Sequence, residues 1–188
     1  MPLNIPNLFT WLRILLIPLI VGLFYLPDEW LSYEGRNVAA TVVFVIAAVT
    51  DWLDGYLARV LNQVSAFGAF LDPVADKLMI AASLIILLQL GRVDAVVGLI
   101  IIGREIAISA LREWMARMGQ AKSVAVAFIG KVKTVSQMIA IPLLLFHDDL
   151  FGVVPCQWLG TILINVAAVL TVISMLYYLR RAIPGAPA

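Results

Sequence analysis

Six stretches of this sequence run for about twenty predominantly apolar residues, and they decide what surroundings the chain can fold in. They are Leu8–Leu26, Val38–Arg59, Pro73–Leu90, Val93–Met118, Ile129–Phe146 and Trp158–Leu179. An α-helix rises about 1.5 Å per residue, so ~20 apolar residues cross the ~30 Å hydrocarbon core of a bilayer. Lipid offers no partner to backbone N–H and C=O groups, and a helix satisfies them within itself. The pattern predicts an all-α integral membrane protein with six transmembrane helices, in a single domain covering residues 1–188.

Composition agrees. Hydrophobic residues make up 63% of the chain and charged residues 13%, about half the charged share of an ordinary soluble domain. A net charge of +1 supplies no field for nucleic acid. The single cysteine, Cys156, excludes an internal disulfide and reads as a small buried apolar residue. Arg13 lies inside the first apolar run, with no charged residue before it and no small-x-small cleavage site after it. Leu8–Leu26 is therefore predicted to be a retained span.

Local signals refine the ends. Asn7 and Thr10 are candidate caps of the first helix. Asp72-Pro73 reads as an N-cap followed by proline at the first helical position. Residues 27–37, with Asp28, Glu29, Glu34 and Gly35, read as a solvated loop, and 183–188 as a frayed tail. His147, Asp148 and Asp149 read as a polar loop between spans. Arg59, Lys77, Arg112, Arg117, Lys122, Lys131, Lys133, Arg180 and Arg181 fall on one side of this topology, against Arg36 and Arg92 on the other. The positive-inside rule then puts both termini and the basic side in the cytoplasm.

Four aspartates carry the chemistry. Asp51 and Asp54 are three residues apart and Asp72 and Asp76 four apart, so each pair shares a helix face. Both pairs sit at the cytoplasmic ends of apolar segments joined by a short loop, and antiparallel neighbours would bring them together. Four clustered carboxylates repel one another unless cations balance them. Two divalent ions would do so, and carboxylate oxygens suit Mg²⁺ or Mn²⁺. Gly55 and Ala58 leave a bare helix face beside the carboxylates, against which a flat ligand could lie, although small residues also serve helix packing. Gly68 allows close approach just before Asp72. Arg13, three residues after Thr10, needs an anionic partner within its span, either phosphate or aspartate.

The run Asp51-x-x-Asp54-Gly55-x-x-Ala58-Arg59, then eight residues, then Gly68-x-x-x-Asp72-x-x-x-Asp76, resembles the signature of the CDP-alcohol phosphotransferase family without departure. The likeness extends through Asn4–Thr10 with Arg13, Arg104-Glu105, Ser109–Trp114 and Gly130–Thr134. It implies a six-helix, usually dimeric membrane enzyme with its active site facing the cytoplasm, here of a bacterial inner membrane. It also implies attack of an acceptor hydroxyl on the lipid-side phosphate of CDP-diacylglycerol, with CMP leaving.

On that resemblance Asp51, Asp54, Asp72 and Asp76 are the metal ligands, and Asp76 is also the general base. Asp54, Gly55, Ala58 and Gly68 would border the cytidine and Arg59 the nucleotide, with Asn7 and Thr10 approaching the diphosphate. The acceptor it favours is glycerol 3-phosphate, a dianion that needs a basic pocket. Arg112, Lys131 and Lys133 are the candidates, with Arg104 two helical turns before Arg112 and able to pair instead with Glu105 or Asp76. The signature itself does not read the acceptor, so inositol phosphate or serine stay open. A divalent-cation transporter is the reading from another class. It would need polar groups through the whole bilayer, whereas here they gather at one side.

Overall fold

The computed structural model describes residues 5–60, 66–118 and 128–182. Six helices account for nearly all of them: α1 (Ile5–Leu23), α2 (Tyr33–Val60), α3 (Ala66–Gln89), α4 (Ala95–Arg117), α5 (Phe128–Phe146) and α6 (Cys156–Ala182). Each falls on one of the six apolar segments. Two helical stretches, Tyr33–Leu53 and Cys156–Arg180, are on their own long and apolar enough to cross a membrane. α1 and α5 contribute shorter apolar stretches, Leu8–Leu23 and Val132–Phe146, and charged residues such as Asp72, Asp76 and Lys77 in α3, and Arg104, Glu105 and Arg112 in α4, interrupt the other two.

The helices form a ring. α1 packs on α2 and α3, α2 on α5, α5 on α6, α6 on α4, and α4 on α3. The ring encloses Ile20, Phe44, Ala47, Met79, Leu84, Ile101, Ile141 and Leu144. Around its outside, Leu15, Val42, Val49, Leu99, Ile106 and Val169 stand exposed, while Arg13, Lys133, Gln137, Thr171 and Ser174 are buried. Large apolar side chains outside and charged ones inside suit a lipid solvent and would be costly in water.

Three local expectations are overturned. Residues 33–37, expected in a solvated loop, open α2, and Arg36 and Asn37 are buried. Asp72 does not cap α3: the helix already runs from Ala66, and Pro73 stands inside it. Proline there removes one backbone hydrogen bond, a cost accepted where the aspartate is needed on the inner face. Asn7 and Thr10 likewise lie within α1 rather than at its cap, and the Thr10 hydroxyl is committed elsewhere.

The α3–α4 connection shows how the sequence ends one helix and starts the next. Arg92 N–H donates to Leu87 C=O and Gly91 N–H to Leu88 C=O, with Gly91 at φ 68°. That is a Schellman closure, in which glycine takes the left-handed position at no steric cost. Asp94 then caps α4 by accepting from Val96 N–H at 2.8 Å. Between them Arg92 is buried and donates to the carbonyls of Leu144 and Leu145, to Tyr33 Oη and to Asn37 Oδ1, each at 2.8 Å. The loop between α5 and α6 is a short hairpin, β1 (Asp149–Leu150) pairing antiparallel with β2 (Val154–Pro155). His147 opens it at φ 70°, and burial, with the charge of Arg92 nearby, holds its imidazole below the ordinary pKa.

Candidate active site

Arg13 is the centre of the polar cluster. Its side chain, 2% exposed, meets carboxylates from two other helices. Nη1 donates to Asp51 Oδ1 at 2.6 Å and also to Asp76 Oδ1, and Nη2 lies 3.4 Å from Asp72 Oδ1. Thr10, one turn earlier on α1, donates from Oγ1 to Asp72 Oδ1 at 2.5 Å. A buried arginine is costly unless paired and hydrogen-bonded, and three carboxylates meet that need.

The aspartates arrive there because each extends a buried helical stripe. On α2, Phe44 and Ala47 are buried and Asp51 follows Ala47 by four residues. On α3, Asp72, Asp76, Met79 and Ser83 recur at spacings of three and four, with Met79 and Ser83 buried. The inner stripe is thus apolar at depth and acidic towards one end of the bundle. The three aspartates keep about two-fifths of their side chains exposed, and Asp51 and Asp76 open on a space rather than on packed core. That space is a cavity of about 220 Å³ lined by Arg13, Asp51, Asp76, Lys77, Glu105 and Gln137, with Phe44 and Met79 among its apolar walls.

A basic cluster adjoins it. Lys133 of α5 is buried and pairs with Glu105 of α4. Arg104 donates to Glu105 Oε1 at 3.2 Å and to Ser174 Oγ of α6 at 3.1 Å. Arg104 and Arg112 both lay their guanidinium groups over the ring of Tyr178, at 5.9 and 5.8 Å from its centroid. The two-turn spacing predicted that these arginines share a face, and a single aromatic ring serves both. Arg112 is exposed. Lys133 turns inward to a carboxylate, where the sequence suggested a free cation for an anionic substrate.

The remaining candidates divide. Gly68 is buried on α3, one turn before Asp72. Asp54, Gly55, Ala58 and Arg59 continue α2 beyond Asp51, Asn7 lies in α1 and Lys131 in α5, but their side chains fall outside the described residues. The sequence offered Glu105 as a partner for Arg104, which their 3.2 Å contact bears out, and did not single out Gln137. The signal for Gln137 was an amide one turn beyond Lys133, at the edge of the apolar run 138–146.

Among the described residues, no three of His, Cys, Asp and Glu are grouped as a ready-made metal site. Asp51, Asp72 and Asp76 instead close on the guanidinium of Arg13. The donor set still fits the ion expected of it. All three are hard carboxylate oxygens, gathered from two helices around one point of positive charge beside an open cavity, and such oxygens favour Mg²⁺ or Mn²⁺.

Comparison with known proteins gives two results. The family model described as CDP-alcohol phosphatidyltransferase matches residues 3–173. The chain is also 48% identical over 184 residues, 97% of its length and 96% of theirs, to proteins from Escherichia coli (strain K12) and Shigella flexneri serotype 5b. Both are named CDP-diacylglycerol–glycerol-3-phosphate 3-phosphatidyltransferase.

Proposed function

The chain belongs to the CDP-alcohol phosphatidyltransferase family, and from that premise we infer that it transfers the phosphatidyl group of CDP-diacylglycerol to glycerol 3-phosphate, giving phosphatidylglycerophosphate and CMP. The observation that carries this reading is the convergence of Asp51, Asp72 and Asp76 on Arg13 beside a cavity, in a chain nearly half identical end to end to enzymes named for that reaction.

The roles follow from the side chains. Asp51, Asp72 and Asp76, with Asp54, would hold two divalent cations, Mg²⁺ or Mn²⁺. Such ions neutralise phosphate charge and stabilise the oxygens on either side of a displacement at phosphorus. Arg13 holds the three described carboxylates in register and presents a fork that matches phosphate oxygens. Thr10 fixes Asp72. The acceptor oxygen forms a bond to the lipid-side phosphorus, the phosphorus–oxygen bond to CMP breaks, and Asp76 takes the hydroxyl proton. Asn7, Gly55, Ala58, Arg59 and Gly68 would border the nucleotide and diphosphate. Arg104 and Arg112, braced on Tyr178, with Lys131 and Lys133, would receive the acceptor phosphate. When they do, Glu105 balances Lys133 and Arg104 from behind.

The apolar exterior and the crowding of charge at one end of the bundle support six spans, cytoplasmic termini and a cytoplasm-facing site in a bacterial inner membrane. A homodimer is in keeping with the family. Purified protein with CDP-diacylglycerol and Mg²⁺ should release CMP only when glycerol 3-phosphate is present, and not with inositol phosphate or serine. Chelator or Asp72→Asn should abolish the release. Asp76→Asn should abolish turnover while sparing most CDP-diacylglycerol binding, and equal loss of both would remove the base role.

A further inference from the structure

Gln137 is a buried polar group in the cavity that no step above employs. It lies on α5, one turn beyond Lys133, is 1% exposed and lines the cavity of the aspartates. Its Nε2 has no hydrogen-bond partner among the described residues. A primary amide carries two N–H donors, and leaving one unused out of water is unfavourable. Leucine or methionine would fill the same place on a lipid-embedded helix at lower cost.

The neighbours do not absorb the donor. Phe44, Met79 and Met138 offer it no oxygen. Thr134, which also lines the cavity, turns its own hydroxyl back to Gly130 C=O at 2.9 Å. Glu105 Oε1 is engaged by Lys133 and Arg104. What remains is a neutral donor on the wall of a cavity with the volume of roughly seven water molecules.

Charge sorts what that donor would meet. A phosphate dianion is drawn to the arginines and lysine of the basic cluster, whereas an uncharged amide matches an uncharged hydroxyl. We propose that Gln137 is a specificity-determining residue. Its Nε2–H donates to the non-reacting secondary hydroxyl of a polyol phosphate, and so turns the primary hydroxyl towards Asp76. This rests on the transferase reading above. The residue selects among acceptors and takes no part in the proton transfer.

The test pairs a substrate deletion with a residue deletion. CMP release is measured with glycerol 3-phosphate and with 3-hydroxypropyl phosphate, which keeps the phosphate and primary hydroxyl but lacks the secondary one. Wild-type protein should favour glycerol 3-phosphate at least tenfold in kcat/KM. Gln137→Met should remove that preference by lowering the glycerol 3-phosphate value at least tenfold. The 3-hydroxypropyl phosphate value and the CDP-diacylglycerol KM should stay within threefold. If both acceptors fall together in the variant, Gln137 is only structural and the proposal fails. Should Gln137→Met not fold, Gln137→Leu takes its place, and the wild-type comparison stands alone as a test, because a wild type active on both acceptors alike overturns the proposal. A wild type that releases CMP with neither acceptor overturns the transferase reading itself, and this inference with it.

Discussion

Thr10 of α1 donates a 2.5 Å hydrogen bond to Asp72 of α3, across 62 residues of sequence. A threonine expected to cap its own helix instead positions a carboxylate on another. A hydrogen bond to a charged group contributes about 1.5–3 kcal/mol. Thr10→Val keeps the shape and β-branching and removes only the donor. It should lower kcat/KM for CDP-diacylglycerol by about tenfold or more and lower the melting temperature by no more than the loss of that one hydrogen bond requires. Unchanged kinetics would mean that Arg13 alone suffices to hold Asp72.

Arg13 forms salt bridges with Asp51, Asp72 and Asp76. Arg13→Met should leave the three carboxylates unbalanced and destabilise the fold by on the order of 3 kcal/mol. A divalent cation binding only the folded protein raises stability by mass action. Millimolar Mg²⁺ or Mn²⁺ should therefore raise the melting temperature of wild-type protein and restore part of the loss in Arg13→Met. Asp72→Asn should blunt the response. A melting curve indifferent to both ions would count against the proposed metal site without any activity being measured.

Glu105 and Lys133 make a similar case between α4 and α5. Removing one partner of a buried pair leaves the other uncompensated, at a cost of about 3–5 kcal/mol. Glu105→Gln should be the more damaging single change, since it strands Arg104 as well as Lys133. Adding Lys133→Met to it should recover stability, and the double-mutant cycle gives the coupling directly. The acceptor KM should rise in every combination that lacks Lys133, which separates its binding role from its structural one.

Much of this was legible in the residues. Hydrophobic length places all six helices, because a long apolar run has few alternatives to a helix. The spacings at Asp51 and at Asp72–Asp76 place those carboxylates on inner faces for the same periodic reason. Arg13 was legible as a cation in need of an anion, but phosphate and aspartate fit that need equally until three helices are seen together. Caps at Thr10 and Asp72 were misread because a hydroxyl or carboxylate near a helix start satisfies a local backbone donor or a distant side chain with the same chemistry. Lys133 read as a free cation for want of any local sign that Glu105, 28 residues earlier, lies against it. Arg92 counted only as one charge on the outer side, and its burial comes from the ring of helices closing around it.

That last residue separates architecture from chemistry. Arg92 ties the end of α5, through Leu144 and Leu145, to Tyr33 and Asn37 at the start of α2. It does so from the far end of the bundle, away from the aspartates. Its fork is what reaches four acceptors, and a lysine ammonium is a point donor on a flexible stem. Arg92→Lys should lose at least one charged hydrogen bond, about 1.5–3 kcal/mol, and lower the melting temperature accordingly. The KM values for both substrates should stay within about twofold, because no contact of Arg92 touches the cavity. A raised acceptor KM with unchanged stability would instead make Arg92 part of a path that couples the C-terminal end of α5 to Lys133 and Gln137 on the same helix.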